Sequence, residues 1–336
     1  MLTVIIIILG VSFLLYAVLG GADFGAGIIE AFGGSKGEKI ISRAIAPVWE
    51  ANHVWLILAV VILFSAFPLV YSSLSLVLHI PLMIVLIGII CRGTAFTFRH
   101  YDIHEGQAVH RSYTVLFIAS SFITPMFLGV TLGAMILGRI TFDPSAAFYE
   151  KFMAPWLNIF CFTMGGFSTC LFAYIASVFL TGEARTEREQ LRYKRISKNA
   201  LLITAIAGLL VFVAAEVSGH HLLDEFLRSP ISIVSFIIAA GIVPLTIYYL
   251  NRRNIVLLRV AVGAQVTAIL MGWFAIQYPV LIQVSNGEDL TFFNTQAPQA
   301  TLTQLLIALI VGLLLVVPAF VYLFGVFKVK KEENIS

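Results

Sequence analysis

Apolar runs of about 20 residues recur along this chain, and a run of that length crosses the hydrocarbon core of a bilayer as one helix. By length and hydropathy they fall at about 2–29, 47–70, 76–98, 113–138, 154–180, 199–217, 231–250, 256–278 and 302–327, about nine spans in all. Hydrophobic residues make up 60% of the chain and charged residues 12%. Soluble domains carry about 45–50% and about 25%. The composition therefore predicts an all-α integral membrane protein whose residues 1–336 form a single transmembrane domain. No soluble domain fits between the spans. The longest connections are a basic stretch at Thr181–Lys198 and a Gln/Asn/Pro-containing stretch at Pro279–Ala300.

The net charge is only +3, so placement matters more than size. There is no basic stripe interleaved with aromatics, no zinc-like Cys/His spacing and no glycine-rich phosphate loop, which argues against nucleic-acid and nucleotide chemistry. Cys91, Cys161 and Cys170 lie in apolar runs without a CxxC and read as small buried hydrophobes. The N-terminal MLTVIIIILG has no Lys or Arg ahead of its apolar run, and is expected to be an uncleaved first span.

One set of alternate loops, with its flanking helix ends, holds 18 of the 21 Lys and Arg residues. The other set holds Arg139, Lys151 and Arg228. Positive residues concentrate on the cytoplasmic side, so the N-terminus is expected outside and the C-terminus in the cytoplasm. Span one then runs inward, span two outward and span three inward. Asp23, near the end of the first, Glu50, about one turn into the second, and Arg92, in the last turns of the third, share one depth in the cytoplasmic third.

A carboxylate within a span costs about 2.5–3.5 kcal/mol on insertion scales, and such residues usually face a bundle interior. Two readings compete. In one, Asp23 and Glu50 line a hydrated mouth and take up protons. In the plainer one, Arg92 pairs with a carboxylate and fixes helix packing. Two carboxylates beside one arginine favour the first. Glycines around Asp23 (Gly20, Gly21, Gly25, Gly27) are explained by close helix packing.

Glu50 and His53 are three residues apart and adjacent on a helix, so the pair could relay protons; Trp49 and Asn52 lie beside them. The plainer reading makes His53 a packing residue. A second Glu-x-x-His pattern, as a metal site would need, is missing. On the outer side, Glu216, His220, His221, Asp224 and Glu225 cluster beyond span six, with His79 near the same surface. A ligand set, a proton exit and a solvated loop are the alternatives there, the loop being the simplest.

At these residues the chain resembles a known family. GADFGAG at Gly21–Gly27, APVWEANHVWLILAVVILFSAFPLVYSSL across span two and IICRGTAFTFRH at the end of span three resemble subunit II of the cytochrome bd-type quinol oxidases. The likeness is concentrated in about the first 100 residues, the remainder being similar in hydropathy.

The resemblance implies two four-helix bundles plus a peripheral helix, here about 1–138, about 154–278 and about 302–327. It implies that Glu50 belongs to a proton path from the cytoplasm, that Asp23 matches the first-span aspartate of the family, and that Trp49, Asn52 and Arg92 fall on its motif positions; the proton roles of Asp23 and His53 rest on the reading of the residues above. It also implies a haem-bearing partner, subunit I, which oxidises the quinol and ligates the haems, two of b type and one d in the usual arrangement, or b-type haem alone in other members. This chain would then hold no haem and no metal. A small accessory subunit, membrane lipids and a structural quinone or lipid in this chain are compatible with it. The setting would be a bacterial or archaeal cell membrane.

The sequence departs from the family pattern in carrying Glu50 where Asp is common, followed by Ala-Asn-His rather than Gly-Asn-Gln. Two rival functions remain. A proton-coupled secondary transporter would use the same carboxylates but needs helices broken near the midplane; Pro125, Pro244 and Pro318 could supply kinks. A passive scaffold for a haem protein would hold them as inert ion pairs.

Overall fold

The structure of the chain, a computed structural model, describes residues 1–32, 40–41, 52–101, 107–184, 186–252 and 254–333. Helix α1 (Leu2–Leu15) continues through a π-helical turn (Tyr16–Gly20) into α2 (Gly21–Glu30). Helices α3 (Val54–Ala66) and α4 (Pro68–Val77) are bent by 112° to each other. The bend sits at Phe67, with φ −132° and ψ 60°. Pro68 is its cause, because a proline pushes the preceding residue out of the helical region and then opens the next helix. Span two therefore ends short of the expected residue 70.

Long helices follow: α5 (His79–Tyr101), α6 (Gln107–Ile136) and, after the short α7 (Phe148–Phe152), α8 (Ile159–Thr181). Then come α9 (Glu187–Val217), the short α10 (Leu222–Arg228), α11 (Pro230–Arg252) and α12 (Ile255–Gln277). A two-stranded antiparallel hairpin, β1 (Val280–Ile282) and β2 (Leu290–Thr291), precedes α13 (Gln299–Glu333). Among the described residues eight helices are long and apolar enough to span a bilayer, and the bent pair makes up to nine. Pro125, Pro244 and Pro318 lie inside continuous helices, so the chain's break is at Phe67 instead.

Two connections differ from expectation. The basic stretch before residue 199 is mostly helix, because Thr186 and Glu189 form a capping box that starts α9 at Glu187. The 31 residues of α9 reach about 46 Å, against about 30 Å of hydrocarbon, so its first turns stand in the aqueous interface. The stretch 279–300 holds the hairpin. Gln283 N donates to Met135 O at 2.9 Å, Ser285 N to Ile140 O at 2.8 Å, and Ala297 N to Ala66 O at 2.8 Å.

These bonds place the ends of α3, α6 and α12 and the start of α13 on one side, here the hairpin side. Met1 joins them through a Thr303 Oγ1–H to Met1 Sδ contact of 3.3 Å. The opposite, basic side is tied by Arg192 Nη2 donating to Phe32 O at 2.6 Å and by an Arg259–Glu183 ion pair at 3.0 Å.

The core has three tiers. Toward the hairpin side, Ile5, Leu9, Ile62, Phe67, Val130 and Phe160 pack with Phe292, Leu302 and Leu305. The middle tier joins Tyr16, Phe24, Trp55, Tyr174 and Val262. Toward the basic side lie Ala26, Ile29, Ala95, Phe96, Phe117 and Tyr193. Helix α8 passes through all three, contacting α2, α6, α9 and α12. Helix α13 is peripheral: it buries Leu302, Leu305 and Leu309 and stacks Phe320 on Trp55 with centroids 5.7 Å apart. Its exposed Leu314, Leu315 and Val321 belong to the apolar belt that a bilayer or a membrane partner covers.

Candidate functional site: an ion-pair ladder beside buried polar groups

Asp23 stands at the third position of α2, within a stripe of small residues that lets neighbouring helices come close. At Gly25 an added Cβ would overlap the Phe172 carbonyl of α8, and at Gly27 the Ser121 hydroxyl of α6. No side chain fits at either. This close packing seats α2 against α8 and α6.

Arg92 of α5 meets Asp23 as a fork: Nη1 donates to Oδ2 and Nη2 to Oδ1, both at 2.8 Å, and Nη2 also donates to the Asp23 carbonyl at 2.7 Å. Both side chains are 1% exposed. Bidentate, charge-assisted bonding of this kind is what compensates the loss of two hydration shells. The guanidinium also lies over the rings of Phe24 (4.8 Å) and Phe117 (5.0 Å), which adds cation–π attraction.

A second rung lies seven residues on along both helices. Arg99 Nη1 donates to Glu30 Oε1 at 2.5 Å, with side chains 3% and 2% exposed, and Arg99 covers the other part of Phe117 at 4.5 Å. Seven residues are about two turns, so the rungs are about 10 Å apart on one face. Their order shows that α2 and α5 run in the same direction. The chain between them must therefore cross back, and α3 lies on that return.

Of the residues singled out by sequence, Asp23 and Arg92 are joined. Asn52, 4% exposed, donates from Nδ2 to the Leu19 carbonyl at 3.3 Å, and so serves the π-turn, whose wider i→i+5 bonding disturbs the regular carbonyl pairing. His53 is half-buried, with its ring 6.3 Å from Tyr16 and 6.0 Å from Phe24. Among the described residues, Tyr16 Oη, His53 Nδ1 and Trp55 Nε1 are buried without a hydrogen-bond partner. Buried polar atoms of this kind are usually satisfied by water or by a further side chain. Trp49 and Glu50 lie outside the described residues.

Sequence reasoning left Glu30 unassigned and counted Arg99 among the loop charges. The signal that finds them is an equal offset: Asp23 and Arg92 are 69 residues apart, and so are Glu30 and Arg99. Beyond the end of α9, His221 pairs with Glu216 at 3.2 Å and His220 approaches Glu225 at 3.8 Å. Among the described residues no three His, Cys, Asp or Glu side chains converge on a metal position.

The fold and the ladder define a polytopic, all-α membrane protein that keeps paired charges between its first span and helix α5. A family model described as cytochrome bd terminal oxidase subunit II matches residues 1–327, and the chain belongs to that family. It is similar to cytochrome bd ubiquinol oxidase subunit 2 of Bacillus subtilis, 28% identical over 224 residues that cover 66% of this chain and 64% of that protein. Cytochrome bd-I ubiquinol oxidase subunit 2 of Escherichia coli K12 is 29% identical over 224 residues, covering 64% and 57%. The chain thus matches less than two thirds of either relative's length. The solved structure of bd oxidase from Geobacillus thermodenitrificans superimposes with a TM-score of 0.79 at 21% identity, over 97% of this chain and 98% of that one, and shows the same fold.

Proposed function

We propose that this chain is subunit II of a bd-type terminal quinol oxidase in a bacterial or archaeal cell membrane. It packs against a haem-bearing subunit I and helps deliver cytoplasmic protons for reduction of oxygen to water. The observation that carries this reading is family membership across residues 1–327. In it, the haems and the quinol site belong to subunit I. The N-terminus lies outside and the basic side faces the cytoplasm, in keeping with the segregation of Lys and Arg.

Within the chain we assign separate roles. Both oxygens of Asp23 accept from Arg92, and carrying a proton would require breaking that fork. Asp23 and Arg92 therefore act as an anchor. Proton transfer falls to Glu50 and His53, three residues apart, and His53 sits beside the Tyr16 hydroxyl, which is buried without a hydrogen-bond partner among the described residues and is suited to an ordered water. Taking protons for water formation from the cytoplasm while quinol protons leave outside builds a potential without a pump.

The test is Glu50→Gln in the tagged, membrane-expressed complex. It should assemble with the normal haem spectrum, recorded as dithionite-reduced minus oxidised, yet lose about 100-fold or more in oxygen consumption, the range typical of general acid–base groups. Full turnover in that variant would remove the proton role. A tagged chain that elutes without haem or partner would remove the oxidase reading altogether.

A further inference from the structure

On the basic side a cleft of about 240 Å³ opens where the ends of α8 and α11 meet the starts of α9 and α12. Leu250 and Leu258, both buried, form its floor, and Leu191 and Ile255 its walls. One face of the first turns of α9 lines it, because Gln190 and Lys194 are four residues apart and Leu191 lies between them.

Lys194 is the unusual member. Arg188, Arg192, Arg195 and Lys198 on the same helix are exposed, but Lys194 is half-buried along this apolar cleft. Among the described residues it has no ion pair or hydrogen bond. The nearby acid is already engaged: Glu183 binds Arg259, whose Nη2 also donates to the Phe179 carbonyl at 3.0 Å. Glu189 is held by the Thr186 capping box. Among the described residues the cleft therefore presents Lys194 as an uncompensated cation above a hydrophobic floor. It lies at the ends of spanning helices, with exposed Leu191 in its lining.

We propose that this cleft binds the headgroup of an anionic phospholipid, with Lys194 pairing the phosphate and Leu250, Leu258 and Leu191 covering the first acyl carbons. Basic pockets between spanning helices on the positively charged side suit such headgroups, and the stem of a lysine packs on apolar surface while its ammonium reaches the interface. The floor favours a lipid over a free anion, since a small phosphate gains nothing from leucines. This assignment does not depend on the oxidase reading.

The experiment uses the whole purified complex, depleted of lipid by extended detergent washing, and records its unfolding midpoint. Phosphatidylglycerol in mixed micelles should raise the midpoint by about 3 °C or more, whereas phosphatidylcholine and inorganic phosphate should not. Lys194→Gln should lose the increment while Lys198→Gln keeps it. An equal increment in Lys194→Gln, no increment in the wild type, or a matching response to inorganic phosphate would each overturn the proposal. Should Lys194→Gln fail to assemble, the comparison becomes Lys194→Arg, expected to respond, against Leu191→Trp, expected to fill the cleft and lose the response. The same response from both would again overturn it.

Discussion

Arg92 shows how one side chain can be both costly and indispensable. Its guanidinium is 1% exposed and is tolerated because Asp23 gives it two carboxylate bonds and a carbonyl, and Phe24 and Phe117 cover it. Removing one partner leaves the other charge stranded. Arg92→Gln or Asp23→Asn alone should therefore cost about 3–5 kcal/mol, read as lower yield and a lower unfolding midpoint of the complex. The double variant Asp23→Asn/Arg92→Met should recover a large part of that, since neither residue then leaves a buried charge, and the size of the recovery measures their coupling. If Asp23 carried protons rather than anchoring a helix, the recovered double variant would still lack activity. This rung was legible from sequence, because both charges interrupt apolar runs. Glu30 and Arg99 were not, because each stands where a span ends and a solvated residue is the ordinary expectation. Only the pairing geometry separates them from loop charges.

At the scale of elements, the fit of α2 against α8 and α6 decides how precisely the ladder is held. A methyl at Gly25 would meet backbone, the Phe172 carbonyl, which cannot rotate away; at Gly10 of α1 it would meet nothing within 4 Å. Gly25→Ala should thus destabilise by about 1–3 kcal/mol through overpacking. Gly10→Ala should be neutral or stabilising by up to about 1 kcal/mol through helix propensity. Parallel thermal melts of the two variants check the contrast, and equal melts would show that α2 and α8 are not in close contact. The existence of most helices could be read from hydropathy, and their ends could not. Helix α9 starts at Glu187 rather than near residue 199 because Thr186 and Glu189 satisfy its first amides, a local signature that an average over apolar residues does not see. Thr186→Ala should accordingly cost about 1 kcal/mol. The π-turn at Tyr16–Gly20 left no mark in the apolar pattern, and only its partner Asn52 stood out as a polar residue in a span.

Across the whole molecule the parity of crossings follows from the two rungs. Because α2 and α5 run in parallel, the segment between them must return across the membrane, although α3 has only 13 residues before Pro68 forces the bend. With the eight long helices among the described residues, that return makes the number of crossings odd, in keeping with Met1 lying beside Thr303 on the hairpin side while α13 runs away toward the basic side. An even count, with the bent pair dipping in and out of one leaflet, would put the termini on the same side and spread Lys and Arg across both surfaces. The prediction is that a fluorescent-protein fusion at the C-terminus is bright and an alkaline phosphatase fusion there is inactive. A cysteine placed at the N-terminus should be labelled by an impermeant maleimide in intact cells. Labelling only after lysis would place both ends in the cytoplasm. The ladder would then have to join antiparallel helices, which its shared seven-residue step does not allow.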